Sequence, residues 1–191
     1  MITRCTWVNL ENPLYITYHD NEWGRPVYDD KILFEFLVLE GAQAGLSWET
    51  VLNKRENYRS AFDEFDVQKI SEYWEEKIQE LLNNKWIIRN KLKINSAIRN
   101  AKVFLEIQKE FWSFSQYLWK YVWKKQIVNN PQNLWEVPAQ TTLSQKISKN
   151  LKKRGMNFIW PTIIYAYMQA VWIVSDHTSD CYLKIKWDKW D

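Results

Sequence analysis

The chain holds two histidines and two cysteines, and they fall at its ends: Cys5 and His19 near the start, His177 and Cys181 near the finish. His177 and Cys181 form an H-x-x-x-C pair, an i, i+4 spacing that turns both side chains to one face of a helical turn. Thiolate sulfur and imidazole nitrogen are ligands that zinc takes in tetrahedral sets. Four protein ligands leave no open position for water, so such a site would be structural and would tie one end of the chain to the other. The residues alone leave a second reading open, four unrelated side chains with two buried thiols, because C-x13-H is not a standard zinc-finger spacing. A separate candidate is Glu40, which stands in Leu39-Glu40-Gly41-Ala42-Gln43-Ala44-Gly45. Small residues allow close approach of backbone, and a carboxylate beside such a cleft is a candidate functional group, although a solvated helix-end glutamate is the commoner case.

The elements that must position these groups read as helices. Ile94, Ile98, Ala101 and Leu105 step by 4, 3 and 4, and Leu143, Ile147 and Leu151 by 4 and 4. Asp29 and Asp66 are placed to cap helix starts, Ser113 with Gln116 and Thr142 with Gln145 have the capping-box spacing, and Gly155 closes the helix after Leu151. The pattern predicts helices over about 29–40, 43–54, 66–73, 75–83, 88–109, 113–121, 142–154 and 161–173. No strand or hairpin of strands is expected, and 126–139, with Pro131 and Pro138, reads as a connecting loop. The fold class is all-α.

At 191 residues, 46% hydrophobic and 26% charged, the chain suits one folded domain over 1–191, or two small helical lobes with a site cleft between them. No run of roughly 18 apolar residues is present and Met1 to Arg4 leads into no signal-peptide core, so no membrane partner and a cytoplasmic location are expected. A structural disulfide between two distant cysteines is a weak reading in that setting. The net charge of +3 identifies no partner by itself, so distribution must decide.

Several longer blocks are dense in aromatic and acidic residues: R-C-T-W with P-L-Y-I-T-Y-H-D-N-E-W-G between Arg4 and Gly24, L-E-G-A-Q-A-G-L-S-W from Leu39 to Trp48, L-K-K-R-G-M-N-F from Leu151, and Y-M-Q-A-V-W-I-V-S-D-H ending at His177. Together they resemble the 3-methyladenine DNA glycosylase I family, from Arg4 to Cys181. The resemblance implies a helix-hairpin-helix superfamily fold, excision of 3-methyladenine from alkylated double-stranded DNA, and one structural zinc held by Cys5, His19, His177 and Cys181. It also implies a base-pocket carboxylate at Glu40 and pocket aromatics at Trp7, Tyr15, Tyr18 and Trp48.

The chemistry agrees with those roles. An enzyme acting on a base takes it out of the duplex and holds it by stacking on aromatic faces and by hydrogen bonds to its edge. Trp48 and Tyr18 suit stacking, and a base made cationic by methylation gains cation–π attraction of roughly 0.5–2 kcal/mol over the normal one. Glu40 can accept from the exocyclic amine or face positive charge as the sugar becomes oxocarbenium-like. The methylated base leaves as a neutral molecule, so a strong general acid is less necessary than in ordinary glycoside cleavage. Without the resemblance, these rings read about two to one as ordinary core. No placed lysine argues for a lyase step, which makes water the nucleophile. The different-class alternative is a zinc-stabilised module that recognises lesions without cutting. A monomer is the default.

Two basic clusters could meet phosphates: Lys146, Lys149, Lys152, Lys153 and Arg154, and Lys85, Arg89, Lys91 and Lys93. A charge run is more often a solvated face. Within the resembled superfamily a hairpin presents backbone amides to a phosphate, and the candidate turn here is 158–162, leading into the helix with Tyr167.

Four glycines stand against 13 tryptophans. Trp86, Trp112, Trp160 and Trp172 occupy positions where the resembled family carries glycine, and Trp74 and Trp123 join them. A tryptophan does not readily take the positive φ of a glycine turn. The expectation is that these are UGA codons, read as glycine in the source and rendered here as tryptophan. A genuine Trp160 would weigh against the hairpin–phosphate contact.

Overall fold

The computed structural model describes residues 2–187, so the ends of the expected 1–191 domain, Met1 included, lie outside the described residues. Eleven helices are described: α1 Pro13–Asn21, α2 Asp30–Gln43, α3 Trp48–Leu52, α4 Arg55–Ala61, α5 Val67–Ser71, α6 Glu75–Asn83, α7 Lys91–Phe111, α8 Phe114–Trp119, α9 Thr142–Lys153, α10 Pro161–Ala170 and α11 Tyr182–Trp187. No described helix is long and apolar enough to cross a membrane.

The axis of the molecule is α2. Ten consecutive residues, Leu33 to Ala42, are buried, the all-round burial of a helix enclosed by others. It packs against α3, α7, α8 and α10. Its start is fixed by Asp29, whose Oδ1 accepts from the Ile32 amide at 3.0 Å, as the sequence led one to expect. Its far end is held by Lys93 of α7, whose Nζ donates to the carbonyls of Ala42 (2.8 Å) and Ala44 (2.7 Å).

Behind α2, α9 and α10 make a helical hairpin. Gly155, at φ +108, ends α9: its amide donates to Lys152 O at 3.0 Å and that of Met156 to Leu151 O at 3.1 Å, the paired bonds of a Schellman stop. The turn 154–160 is fastened to its surroundings. Asn100 of α7 exchanges two hydrogen bonds with the backbone of Asn157 (2.9 and 2.8 Å), and Ser148 Oγ donates to Ile159 O at 2.5 Å.

Several boundaries differ from the sequence reading. Helices α1, α4 and α11 were not anticipated. The predicted 43–54 helix is really the end of α2, a turn with Gly45 at φ +77, and α3. The box assigned to Thr142 and Gln145 sits one residue earlier, with Thr141 and Ser144 bonding reciprocally, because the threonine whose backbone is still extended is the one that caps. Among the described residues there is also one short strand pair: β1 Ile127–Val128 runs parallel to β2 Val174–Ser175. It holds the 126–139 loop beside the segment that leads to His177.

The six questioned tryptophans divide into two groups. Trp112, Trp123 and Trp172 lie at φ +69, +53 and +70, the region that favours glycine. Trp74 at φ −108 and Trp160 at φ −58 do not, and Trp86 is not among the positive-φ residues. Backbone strain therefore supports a glycine origin at three positions. Trp160 is the residue before Pro161 at the start of α10, where an extended backbone is usual.

Candidate active site

The pocket is assembled from the two ends of the chain around α2. Asn12 caps α1, accepting from the amides of Leu14 and Tyr15. Its Nδ2 and that of Asn9 both donate to Glu49 Oε1 of α3 at 2.8 Å. These bonds lock α1 beside α3, so that Trp7, Tyr15 and Tyr18 face Trp48 across a cavity of about 220 Å³. Tyr18 and Trp48 have ring centroids 5.2 Å apart, and Trp7 lies 5.4 Å from Tyr15 and 4.9 Å from Trp23. All five residues expected at the site, Trp7, Tyr15, Tyr18, Glu40 and Trp48, line this one cavity.

Glu40 reaches the cavity from α2 and is 3% exposed. Among the described residues its Oε2 has no hydrogen-bond partner, and neither has Nε1 of Trp48. A buried polar atom left without a partner costs on the order of 1–3 kcal/mol, so two beside one cavity point to a ligand that would satisfy them. Burial pushes the Glu40 carboxyl up to about 8. The contrast with Glu35, five positions earlier on the same helix and also buried, is informative. Glu35 is bonded by Arg55 Nε at 2.6 Å and by Arg59 at 2.9 Å, and Arg55 reaches on to Glu22 at 2.5 Å. Glu35 is compensated within the fold, whereas Glu40 has no charged partner among the described residues. Burial, then Glu49 and Glu40, raises the Tyr15 phenol to about 12, and burial also raises Tyr18. Both phenols remain hydrogen-bond donors at neutral pH.

Sequence reasoning missed part of the lining. Trp23, Gln43, Gln169, Asp176 and Thr178 belong to it, as do Leu134 and Val137 from the 126–139 loop. Gln43 lies one turn after Glu40 and was accessible to helical spacing. The loop residues were not, because a two-residue strand pair leaves no periodic signal.

Directly behind the ring wall lies the Cys/His cluster. Cys5, His19, His177 and Cys181 are all buried, with one ligand atom of each within 4.8 Å of the others. His177 Nδ1 is 3.4 Å from Cys5 Sγ and 3.5 Å from Cys181 Sγ, and His19 Nε2 is 3.5 Å from Cys181 Sγ. His19 Nδ1 donates to Asp20 Oδ1 at 2.8 Å, which aims Nε2 inward, and Arg4 holds Asp20 at 2.6 Å. Although partly buried, Asp20 is brought down to about 2 by Arg4 and His19. Between the thiols, the bond from Cys5 and the two imidazoles hold Cys181 well below the usual range, while Cys5 is raised. Gly24 closes the back of the cluster: a Cβ there would sit 2.9 Å from His177 Nε2. The four residues can hold a metal ion.

The sequence profile described as methyladenine glycosylase matches residues 7–184. The chain belongs to the methyladenine glycosylase family. A DNA-3-methyladenine glycosylase of Haemophilus influenzae (strain ATCC 51907 / DSM 11121 / KW20 / Rd) is 47% identical over 95% of this chain and 97% of that protein. A crystal structure of 3-methyladenine DNA glycosylase I superposes with TM-score 0.91 at 45% identity, covering 94% of this chain and 98% of the other. A variant of 3-methyladenine DNA glycosylase I, solved in complex with 3-methyladenine, superposes at 0.90 with 31% identity, covering 94% and 96%. The fold of this methyladenine glycosylase is thus that of catalytic relatives, and an enzyme, not a lesion-binding module without chemistry, is the reading they support.

The basic clusters need correction in two places. Lys93 is turned onto the α2 carbonyls, and Arg154 is paired with Glu110 at 2.6 and 2.9 Å, so neither is free for a phosphate. Lys146, Lys149, Lys152 and Lys153 of α9 and Lys85, Arg89 and Lys91 remain exposed.

Proposed function

We propose that this methyladenine glycosylase flips 3-methyladenine out of alkylated double-stranded DNA and hydrolyses its N-glycosidic bond with water as nucleophile. The observation that carries the reading is Glu40: a buried carboxylate with an unpartnered oxygen, in a cavity walled by aromatic rings. The rings attract a cationic base over a neutral one. Glu40 accepts from the base edge and becomes a favoured anion once a cation is beside it. Among the described residues no lysine lines the cavity, which supports a monofunctional hydrolase with no amine nucleophile.

The cluster residues fit zinc. Zinc–sulfur and zinc–nitrogen bonds of about 2.3 and 2.0–2.1 Å in a tetrahedron imply sulfur–nitrogen edges of about 3.5 Å, and the three observed are 3.4, 3.5 and 3.5 Å. With all four ligands from protein, the ion would supply a cross-link and no reacting water. Cys5, His19, His177 and Cys181 would hold it, and Asp20 orients His19 from outside. The α9–α10 hairpin is our candidate for the helix-hairpin-helix element that meets the DNA backbone.

The test is release of free 3-methyladenine from methylated duplex DNA by the purified chain. Glu40→Gln is expected to lower single-turnover release by roughly 10²-fold. A folded, metal-loaded chain that binds the lesion yet releases nothing would instead make it a binding module.

A further inference from the structure

The cavity has two chemically distinct walls. Every ring in its lining comes from residues 7–48, while the residues from 134–178 contribute none. A flipped nucleoside has an aromatic half, which stacks, and a sugar, which does not. The ringless wall suits the sugar, and it carries a second carboxylate. Asp176 lines the cavity at 3% exposure. Its Oδ2 accepts from the Tyr165 hydroxyl at 2.6 Å and from Gln169 Nε2 at 2.7 Å, and its Oδ1 accepts from Asn129 Nδ2 at 2.7 Å.

All three donors are neutral, and among the described residues Asp176 takes part in no ion pair. This is the arrangement of an acceptor-only carboxylate: hydrogen-bonded enough to be buried, but with its charge uncompensated by any cation in direct contact. Lys184 donates to the Asn129 carbonyl at 2.7 Å and not to Asp176. Tyr165 and Gln169 stand one turn apart on α10, so the helix itself holds the carboxylate in position.

We infer that Asp176 is a second functional carboxylate of the site, a preset anion that stabilises the oxocarbenium-like sugar during cleavage. The inference rests on the excision reaction proposed above. In that reaction the C1′–N9 bond breaks with its electron pair passing to the base, which leaves neutral. Positive charge moves onto the sugar, and water adds to C1′ and gives up one proton to solvent. Glu40 serves the base; Asp176 serves the sugar to which the charge moves. A fixed anion aimed at developing charge needs no reorganisation during the step.

The experiment uses the full chain, Asp176→Asn and Tyr165→Phe. Binding is measured to two duplexes with abasic analogues, one carrying a cationic pyrrolidine ring in place of the sugar and one a neutral tetrahydrofuran ring. The unaltered chain should prefer the cationic ring. Asp176→Asn should reduce that preference by about 10-fold or more and single-turnover excision by about 10²-fold. Tyr165→Phe, which keeps the charge and removes one donor, should lose much less of both. A merely structural role would weaken binding of both rings alike, so an unchanged preference in a folded Asp176→Asn chain overturns the inference. If Asp176→Asn does not fold, Asp176→Ser replaces it, with the same loss of preference expected and an unchanged preference again decisive against the inference. Failure of the unaltered chain to excise would overturn the proposed reaction itself, a result distinct from loss in the variants alone.

Discussion

Two glutamates on α2 show how surroundings decide the fate of one residue type. Glu35 meets two guanidiniums and becomes part of the scaffold; Glu40 meets none and is raised to about 8. A carboxyl raised in the folded state above its ordinary 4.5 binds protons that the unfolded chain has lost. Its contribution to stability is therefore full below about pH 4.5 and is lost as pH rises through about 8. We predict that Glu40→Gln is more stable than the parent at pH 8–9, by an amount on the order of 1–3 kcal/mol, and that the gain vanishes near pH 4. Thermal melts across that range check it, and a difference that does not change with pH would mean Glu40 is compensated after all. Glu40 was legible in the sequence as a carboxylate beside small residues. Its lack of a partner was not, since that depends on Arg55 and Arg59 being spent on Glu35. Asp176 was hidden for a similar reason, its donors coming from a loop and from α10.

Elements were legible where one face is apolar and the caps are local, as in α7 and α9, or where a capped run is apolar throughout, as in α2, and illegible where the inward face does chemistry. Helix α1 turns Tyr15, Tyr18 and His19 toward the pocket and cluster, so no apolar stripe marks it. Helix α4 buries Arg55, which reads in sequence as a solvent residue. The tryptophans at positive φ are a different kind of conflict, between a residue and the turn that carries it. Trp112 and Trp123 are 89% and 88% exposed, so their rings add little packing while their backbones occupy a strained region. Trp112→Gly and Trp123→Gly are each expected to stabilise the chain by about 1 kcal/mol, which raises the melting temperature by roughly 2–4 °C per site. Destabilisation on replacement would show that these rings pack in solution and would remove the structural argument for glycine. The gene settles the codon question directly: UGA at these positions is the expected finding, and UGG would end the idea.

At the scale of the whole molecule, the Cys/His cluster brings residue 5 beside residue 181. The joint is reinforced by the Tyr182 amide, which donates to Thr3 O at 2.9 Å, and by Arg4 on Asp20. A metal bound by the folded form and not by the unfolded chain would stabilise the fold by linkage, by an amount that grows with its affinity for the four residues. The cluster is also mechanically continuous with the pocket. His19 lies 5.3 Å from Trp7, and His177 lies 4.6 Å from Trp23, ring to ring. Sequence spacing and family resemblance made the four ligands legible, but this contact between cluster and pocket wall emerges only when the ends meet. Stripping the ion with a strong chelator, or replacing Cys181 with Ser, is expected to lower the melting temperature by roughly 10 °C or more. Excision should fall in parallel, because Trp7 and Trp23 lose their backing. Metal analysis should give one zinc per chain, and re-addition after chelation should restore both properties in the parent but not in Cys181→Ser. A chain verified free of metal that melts and excises as before would show that packing of the ends suffices, and the ion would then have no structural role.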